Sequence, residues 1–213
     1  MKKQITWIII GVVTLFMIIY FTGQNKTSDS PTLNDSAILP DRYLRNVDYY
    51  EQEDRHSTSA FNLERAIQSI WKIERDVDDE SYAKLERAIE RLEEVHSSIL
   101  RDSVDSNELR SAFEFALNNL AHAELEIAEM YAETNQIDQA NVALKYAQLH
   151  IKNAMLFHQP YWDQNEKKLA IEKNVFEEID SLIENNSVSP VEYTLVLDKM
   201  IKEIDEIIES KEN

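Results

Sequence analysis

Between Ser106 and His158 the apolar residues recur with the period of two long helices, and this hairpin constrains the chain more than any other stretch. Leu109, Phe113, Ala116, Leu117, Leu120, Ile127 and Tyr131 follow the spacing of a helix with one buried face. After the break Thr134-Asn135-Gln136 the period resumes in Ile137, Ala140, Leu144, Ala147, Ile151 and Ala154. Asn tolerates the left-handed conformation that a helix end often needs, so the spacing predicts a turn at Asn135. A chain that turns there sets Ile127 level with Leu144 and Leu120 level with Ile151, apolar against apolar.

The remainder reads as further helices. The chain has only two Gly and four Pro, which leaves few turns and excludes a β-rich fold. Leu63, Ala66, Ile67, Ile70 and Trp71 predict a helix over residues 59–75. Asp79 is expected to cap a second helix that buries Tyr82, Leu85, Ile89, Leu92, Val95 and Ile99 and stops near Arg101. Asp105 with Glu108 forms a capping pair at the head of the central hairpin. Pro160 stops that hairpin, and Asp163 with Glu166 repeats the cap spacing ahead of Leu169, Phe176, Ile179 and Ile183. Ser189, Pro190 and Glu192 start a last helix whose buried stripe is Leu197, Ile201, Ile204 and Ile208. The expected fold class is all-α: an antiparallel multi-helix bundle over residues 59–213, with about six helices in three hairpins.

Ahead of the bundle, Lys2 and Lys3 precede an uncharged apolar run from Ile5 to Thr22. At about 1.5 Å per residue such a run approaches the ~30 Å hydrocarbon core. Trp7 at one end, with Tyr20 and Phe21 at the other, sit where amphipathic rings prefer the two interfaces. The paired lysines favour a cytoplasmic N-terminus, so residues 1–23 are expected to be an uncleaved signal-anchor, with the rest of the chain outside the cytoplasm. Residues 24–58 are polar at first and lack a sustained period, and read as a flexible juxtamembrane tether.

Charge narrows the partners. Lys and Arg number 22 against 40 Asp and Glu, a formal net charge of −18. Nucleic acid is excluded, because phosphate binding needs clustered Lys and Arg and no basic cluster occurs. A basic protein fits better. With no Cys, disulfides, thiolate catalysis and Cys-based zinc or iron–sulfur sites are excluded. HExxH, GxSxG and Gly-rich phosphate loops are missing as well, so a non-enzymatic chain with no cofactor is expected.

Residues 121–152 resemble a single tetratricopeptide-type helical hairpin, in which Ile127, Ala128, Tyr131, Ala140, Leu144 and Ala147 occupy the pattern's core positions. Glu124 stands where the pattern has tryptophan and Lys152 where it has the closing proline, and no second copy follows. The resemblance implies a ligand groove on the second face of the first helix. Asn118, His122, Leu125 and Glu129 lie on that face, about 200° from the buried stripe at ~100° per residue, and are the candidate partner-binding residues. The competing reading covers Leu125 with another helix of the bundle.

A second functional class is a divalent-metal-binding bundle. Glu93-x-x-His96 has metal-ligand spacing, and His158 is expected near the same end of the bundle, so Glu93, His96 and His158 are the candidate ligands. The leading expectation is a membrane-anchored extracytoplasmic helical domain that serves as a protein–protein interaction or scaffold module.

Overall fold

The computed structural model describes residues 36–73, 77–158, 163–185 and 188–210. They form seven helices: α1 (Leu39–Gln52), α2 (His56–Ile73), α3 (Asp79–Leu100), α4 (Ser106–Glu133), α5 (Ile137–Leu156), α6 (Asp163–Glu184) and α7 (Pro190–Glu209). No strand occurs among the described residues. The all-α class is therefore correct, with one more helix than the sequence reading counted.

No glycine follows Gly23, so the chain turns on other residues. Asp54, Asp102 and Asn135 adopt positive φ of 54°, 53° and 58°, in the turns that close α1–α2, α3–α4 and α4–α5. Asp and Asn are the residues other than glycine that enter this region most readily, because their short side chains bond locally. The turn predicted at Asn135 is thus present. Helix starts follow the expected capping chemistry at Asp105, whose side chain accepts from the N–H of Asn107 and Glu108, and at Ser189, which accepts from Glu192. The cap of α3 is Asp78 rather than Asp79: its Oδ1 accepts from Ser81 N at 2.7 Å.

α4 is the shaft of the domain. Consecutive helices pack as neighbours along the chain, and α4 in addition packs against α7 and touches α1. Every residue from Ala112 to Leu125 is buried, so α4 lies inside the bundle on all sides rather than on one stripe. Ala112, Ala116, Ala121 and Ala123 let neighbouring helices approach, while Leu117, Leu120 and Leu125 fill the space between them at 0% exposure. Burying each leucine contributes about 1.5–3 kcal/mol. The hairpin positions Ala128, Ala140, Leu144 and Ala147 are buried, and Ile127 and Tyr131 are partly so.

Three expectations need correction. The stretch read as a tether over residues 24–58 contains α1 and the start of α2; Leu44 and Val47 of α1 are fully buried. Tyr82, assigned to a buried face, is 43% exposed, and Trp71, counted in the apolar period of the helix before it, is 40% exposed. Finally, the partner-binding face on α4 is interior, as shown below. The expected anchor, residues 1–23, lies outside the described residues. Among those described, no helix is long and apolar enough to cross a membrane.

Candidate functional site

The interior of α4 carries Glu114, Asn118, Asn119, His122 and Glu124, all at most 5% exposed. Polar groups withdrawn from water are costly unless they are bonded or paired. Asn119 answers locally, its Nδ2 donating to Phe115 O at 2.7 Å. The other four draw partners from the surrounding helices and so organise three polar clusters.

The first cluster centres on Lys84 of α3. Its ammonium has three N–H donors and three acceptors: Glu80 Oε1 at 2.8 Å, Asp205 Oδ1 of α7 at 2.5 Å and His122 Nε2 of α4 at 2.7 Å. His122 Nε2 also stands 3.2 Å from Asp205 Oδ1, and its Nδ1 lies 3.3 Å from Ser81 Oγ, so the ring is held between α3 and α7. Burial pushes Lys84 toward its neutral form, but its bonds to Asp205 and Glu80 outweigh this and raise its pKa. Burial acts upward on the Asp205 carboxyl, and contact with His122 and Lys84 brings it below the ordinary carboxylate range. Glu80, His122 and Asp205 have the composition of a metal-ligand set. Lys84 bonds to all three of these ligand atoms and is itself their cation.

The second cluster lies where α4, the end of α5 and α6 meet. Phe157 caps α5 and packs edge-on against Phe113, with ring centroids 5.3 Å apart. That contact brings the next residue, His158, beside the residue after Phe113, Glu114. His158 Nε2 stands 2.5 Å from Glu172 Oε2 and 3.9 Å from Glu114 Oε1. Asn118 Nδ2 donates to the other oxygen, Glu172 Oε1, at 3.0 Å. Lys168, one turn before Glu172 on α6, is pushed below the usual lysine range by burial, against the pull of Glu114 and Glu172 and with the help of Arg91.

The third cluster joins α1, α4 and α5. His150 Nδ1 is 2.8 Å from Asp41 Oδ2, and Asn153 Nδ2 donates to Asp41 Oδ1 at 2.7 Å. Asp41 and His150 are 1% and 0% exposed, so this pair holds α1 against the bundle from inside. Burial lowers the pKa of His150, but Asp41 and Glu124 more than reverse this and leave it raised. Glu124 is pushed up to about 7, chiefly by burial; His150 opposes the rise and Asp41 adds to it.

The candidate partner residues fall within this interior. Asn118, His122 and Leu125 are 1%, 0% and 0% exposed, and Glu129 is partly buried. Burial raises the pKa of Glu129, with Glu126, Asp198 and Lys202 among the charges acting on it, and α4 packs against α7. The reading that places Leu125 under another helix is the correct one. Two of the four residues do carry polar contacts, but to Glu172 and Lys84 inside the domain.

The candidate metal residues do not converge. Glu93 is exposed and His96 partly buried on α3, and neither belongs to a carboxylate–histidine cluster among the described residues. His158 does belong to one, with Glu114 and Glu172 in place of the α3 pair. The signal that would have pointed there is the stretch Ala112–Leu125, which has no Lys or Arg yet keeps Glu, Asn and His. His150 was similarly visible, at i+3 from Ala147 and i−4 from Ala154 on the buried stripe of α5.

Comparison with protein-family models, curated proteins and solved structures finds no match.

Proposed function

We propose that the chain is a membrane-anchored helical domain displayed outside the cytoplasm, where it holds a basic protein partner through α7 and carries out no catalysis of its own. The observation that carries this reading is the pair Val191 and Leu195, one turn apart on α7 and 72% and 64% exposed. Side chains of this size on one face of a helix are typical anchors when charged residues surround them. Leu195 lines an open groove of about 400 Å³ with Asp198, Lys199, Lys202, Glu203 and Glu206. The two lysines are already answered within the domain, Lys199 by Glu178 and Glu203, and Lys202 by Asp198 at 2.8 Å. The groove therefore adds no free positive charge to a protein whose formal charge is −18. Excess acidity favours association with a basic surface and makes it weaken with salt. The tetratricopeptide-like hairpin of α4 and α5 serves as the rigid support on which α7 rests.

The test is a paired purification of the full-length protein from membranes, as wild type and as Val191→Ser with Leu195→Ser. A basic protein should accompany the wild type, leave at high salt and be missing from the variant, with melting unchanged. A partner retained by the variant would move the interface elsewhere. Location is tested separately: a reporter active only in the cytoplasm, fused after Asn213, should be silent.

A further inference from the structure

We propose, on the membrane-anchored reading above, that the outward faces of α1 and α2 dock against an anionic phospholipid surface. The two helices are joined by a short turn and pack as an antiparallel pair, and Asn46 Nδ2 of α1 donates to Asn62 Oδ1 of α2 at 3.1 Å across their seam. Counted from these two residues at ~100° per residue, Arg42, Arg45 and Tyr49 on α1 and Phe61, Arg65 and Lys72 on α2 all lie about 40–100° round in the same rotational sense. In an antiparallel pair the same sense on each helix means the same side. All six residues are exposed, Tyr49 and Phe61 at 58% and 54%. The fold therefore gathers four bases and two large rings on one face, although the sequence scatters them between residues 42 and 72.

That face is the exception in a chain whose formal charge is −18. Among the described residues none of its four bases takes part in an ion pair. Arg42 and Arg65 rest instead over the rings of Tyr43 and Phe61, 5.6 and 5.3 Å from the centroids. The acids of the two helices are placed elsewhere. Asp41 is buried, Asp48 pairs with Arg110 and Glu51 with His56, while Glu64 lies about 160° round from the seam. Chain connectivity points to the occupant. Only residues 23–38 separate the apolar run Ile5–Thr22 from α1, and a stretch of that length spans at most ~60 Å, so an anchored chain keeps α1 within reach of the headgroups. An acidic domain tethered to an anionic leaflet is attracted to it only through a basic face. Arginine, lysine and aromatic rings are also the side chains that settle at headgroup level, the bases on phosphate and the rings at the boundary with the acyl chains.

The experiment reconstitutes the full-length protein in vesicles of phosphatidylcholine, with and without phosphatidylglycerol. The chain has no Cys, so a single introduced cysteine carries a nitroxide label, at Gln68→Cys on the exposed edge of this face or at Leu195→Cys on α7. With phosphatidylglycerol present, the Gln68→Cys label should lose contact with a water-soluble nickel chelate and regain it at high salt, while the Leu195→Cys label stays in contact throughout. Adding Arg42→Gln, Arg45→Gln and Arg65→Gln, each worth about fivefold in surface affinity, should weaken docking by about 100-fold and return the Gln68→Cys label to water. Equal access with and without phosphatidylglycerol overturns the proposal, as does protection that survives the triple substitution. Should that variant fail to fold, the salt dependence of the single-label protein decides. Alkaline carbonate separates this proposal from the anchor: protein that stays with the vesicles while its label remains in water refutes the docked face alone, whereas protein that washes off refutes the anchor and the tether with it.

Discussion

The clusters around His122 and His158 contain the same ligand types, two carboxylates and an imidazole, yet they obtain positive charge in different ways. Around His122 the cation is covalently part of the chain. Lys84 reaches from α3 to α4 and α7, and each N–H of its ammonium has an acceptor. Around His158 a ring nitrogen faces Glu172 and the neutral amide of Asn118 donates to it, while Glu114 and Glu172 also act on Lys168, one turn away on α6. A lysine that crosses three helices locks their arrangement and leaves no place for an exchangeable ion. A histidine at a helix end, facing two buried carboxylates from two other helices, ties α4, α5 and α6 through its ring instead. Similar composition therefore has two consequences, and the length and origin of one side chain separate them.

Removing the internal cation should have the largest effect. Lys84→Met leaves Asp205 and His122 facing each other without their common donor, and breaking a partly buried ion pair in this way costs about 3–5 kcal/mol. In a domain of this size each kcal/mol moves the midpoint by about 2–4 °C, so the melting temperature should fall by roughly 10 °C. Adding Asp205→Leu should recover much of the loss, because the uncompensated charge goes with it. A single variant that melts like the wild type would show that the ammonium is not the counterion that holds α3, α4 and α7.

The cluster that pins α1 gives the next effect, with the opposite sign. Glu124 binds its proton more tightly when folded, its pKa raised from 4.5 to about 7. A raised pKa stabilises the fold below the unfolded value, and that contribution is lost as pH rises through the folded one. His150 is also raised and acts in the same direction, so stability should fall between about pH 5 and 8. Asp205 is depressed, and its contribution is lost only as pH drops below the ordinary carboxylate range. At roughly 1.4 kcal/mol per tenfold change in proton affinity, Glu124 accounts for on the order of 3 kcal/mol. Glu124→Gln should therefore melt higher than wild type at pH 8 and show a flatter pH profile. Parallel profiles would mean that Glu124 is not buried as a charged group.

Asn118 tests the His158 cluster without touching its ring. Asn118→Ala takes the amide donor from Glu172 Oε1, and an acceptor left without its partner in the interior costs about 1–3 kcal/mol. The loss should exceed that of an exposed substitution such as Glu93→Ala, which is expected to stay within ~0.5 kcal/mol. Equal, small effects at both positions would place Glu172 in contact with water.

These clusters also mark where the sequence was legible. Helix starts at Asp105 and Ser189 and the turn at Asn135 depend on neighbours within a few residues, and all three could be read locally. The stripe Leu197, Ile201, Ile204 and Ile208 could be read too, and all four are buried. α1 escaped because its burial rests on Leu44 and Val47 plus a charged residue, Asp41, whose partner His150 lies far along the chain. The second face of α4 was misassigned for a related reason. Asn, His and Glu around Leu125 have the composition of an exposed interface when read alone, and the helices that meet them are remote in the chain: α3 and α7 at His122 and α6 at Asn118. The metal reading chose Glu93 and His96 for their spacing on one helix. Glu114 and Glu172 sit on different helices, and no local spacing connects them.

The smallest expected effect separates the acceptors around Lys84. Glu80 and Asp205 both bond to its ammonium, at 2.8 and 2.5 Å, but the Glu80 side chain is 65% exposed and that of Asp205 only 25%. An exposed carboxylate keeps its hydration with or without the lysine, and pairs spaced four residues apart on a helix contribute about 0.3–0.5 kcal/mol. Glu80 also stands in the first turn of α3, where the helix dipole adds a similar increment. Glu80→Gln should thus lower stability by no more than ~1 kcal/mol, and the loss should shrink at high salt. Asp205→Asn removes the less exposed charge from the same ammonium and should cost clearly more at any ionic strength. If the two variants melt alike, exposure does not govern this cluster, and the ammonium is held mainly by His122 and its own burial.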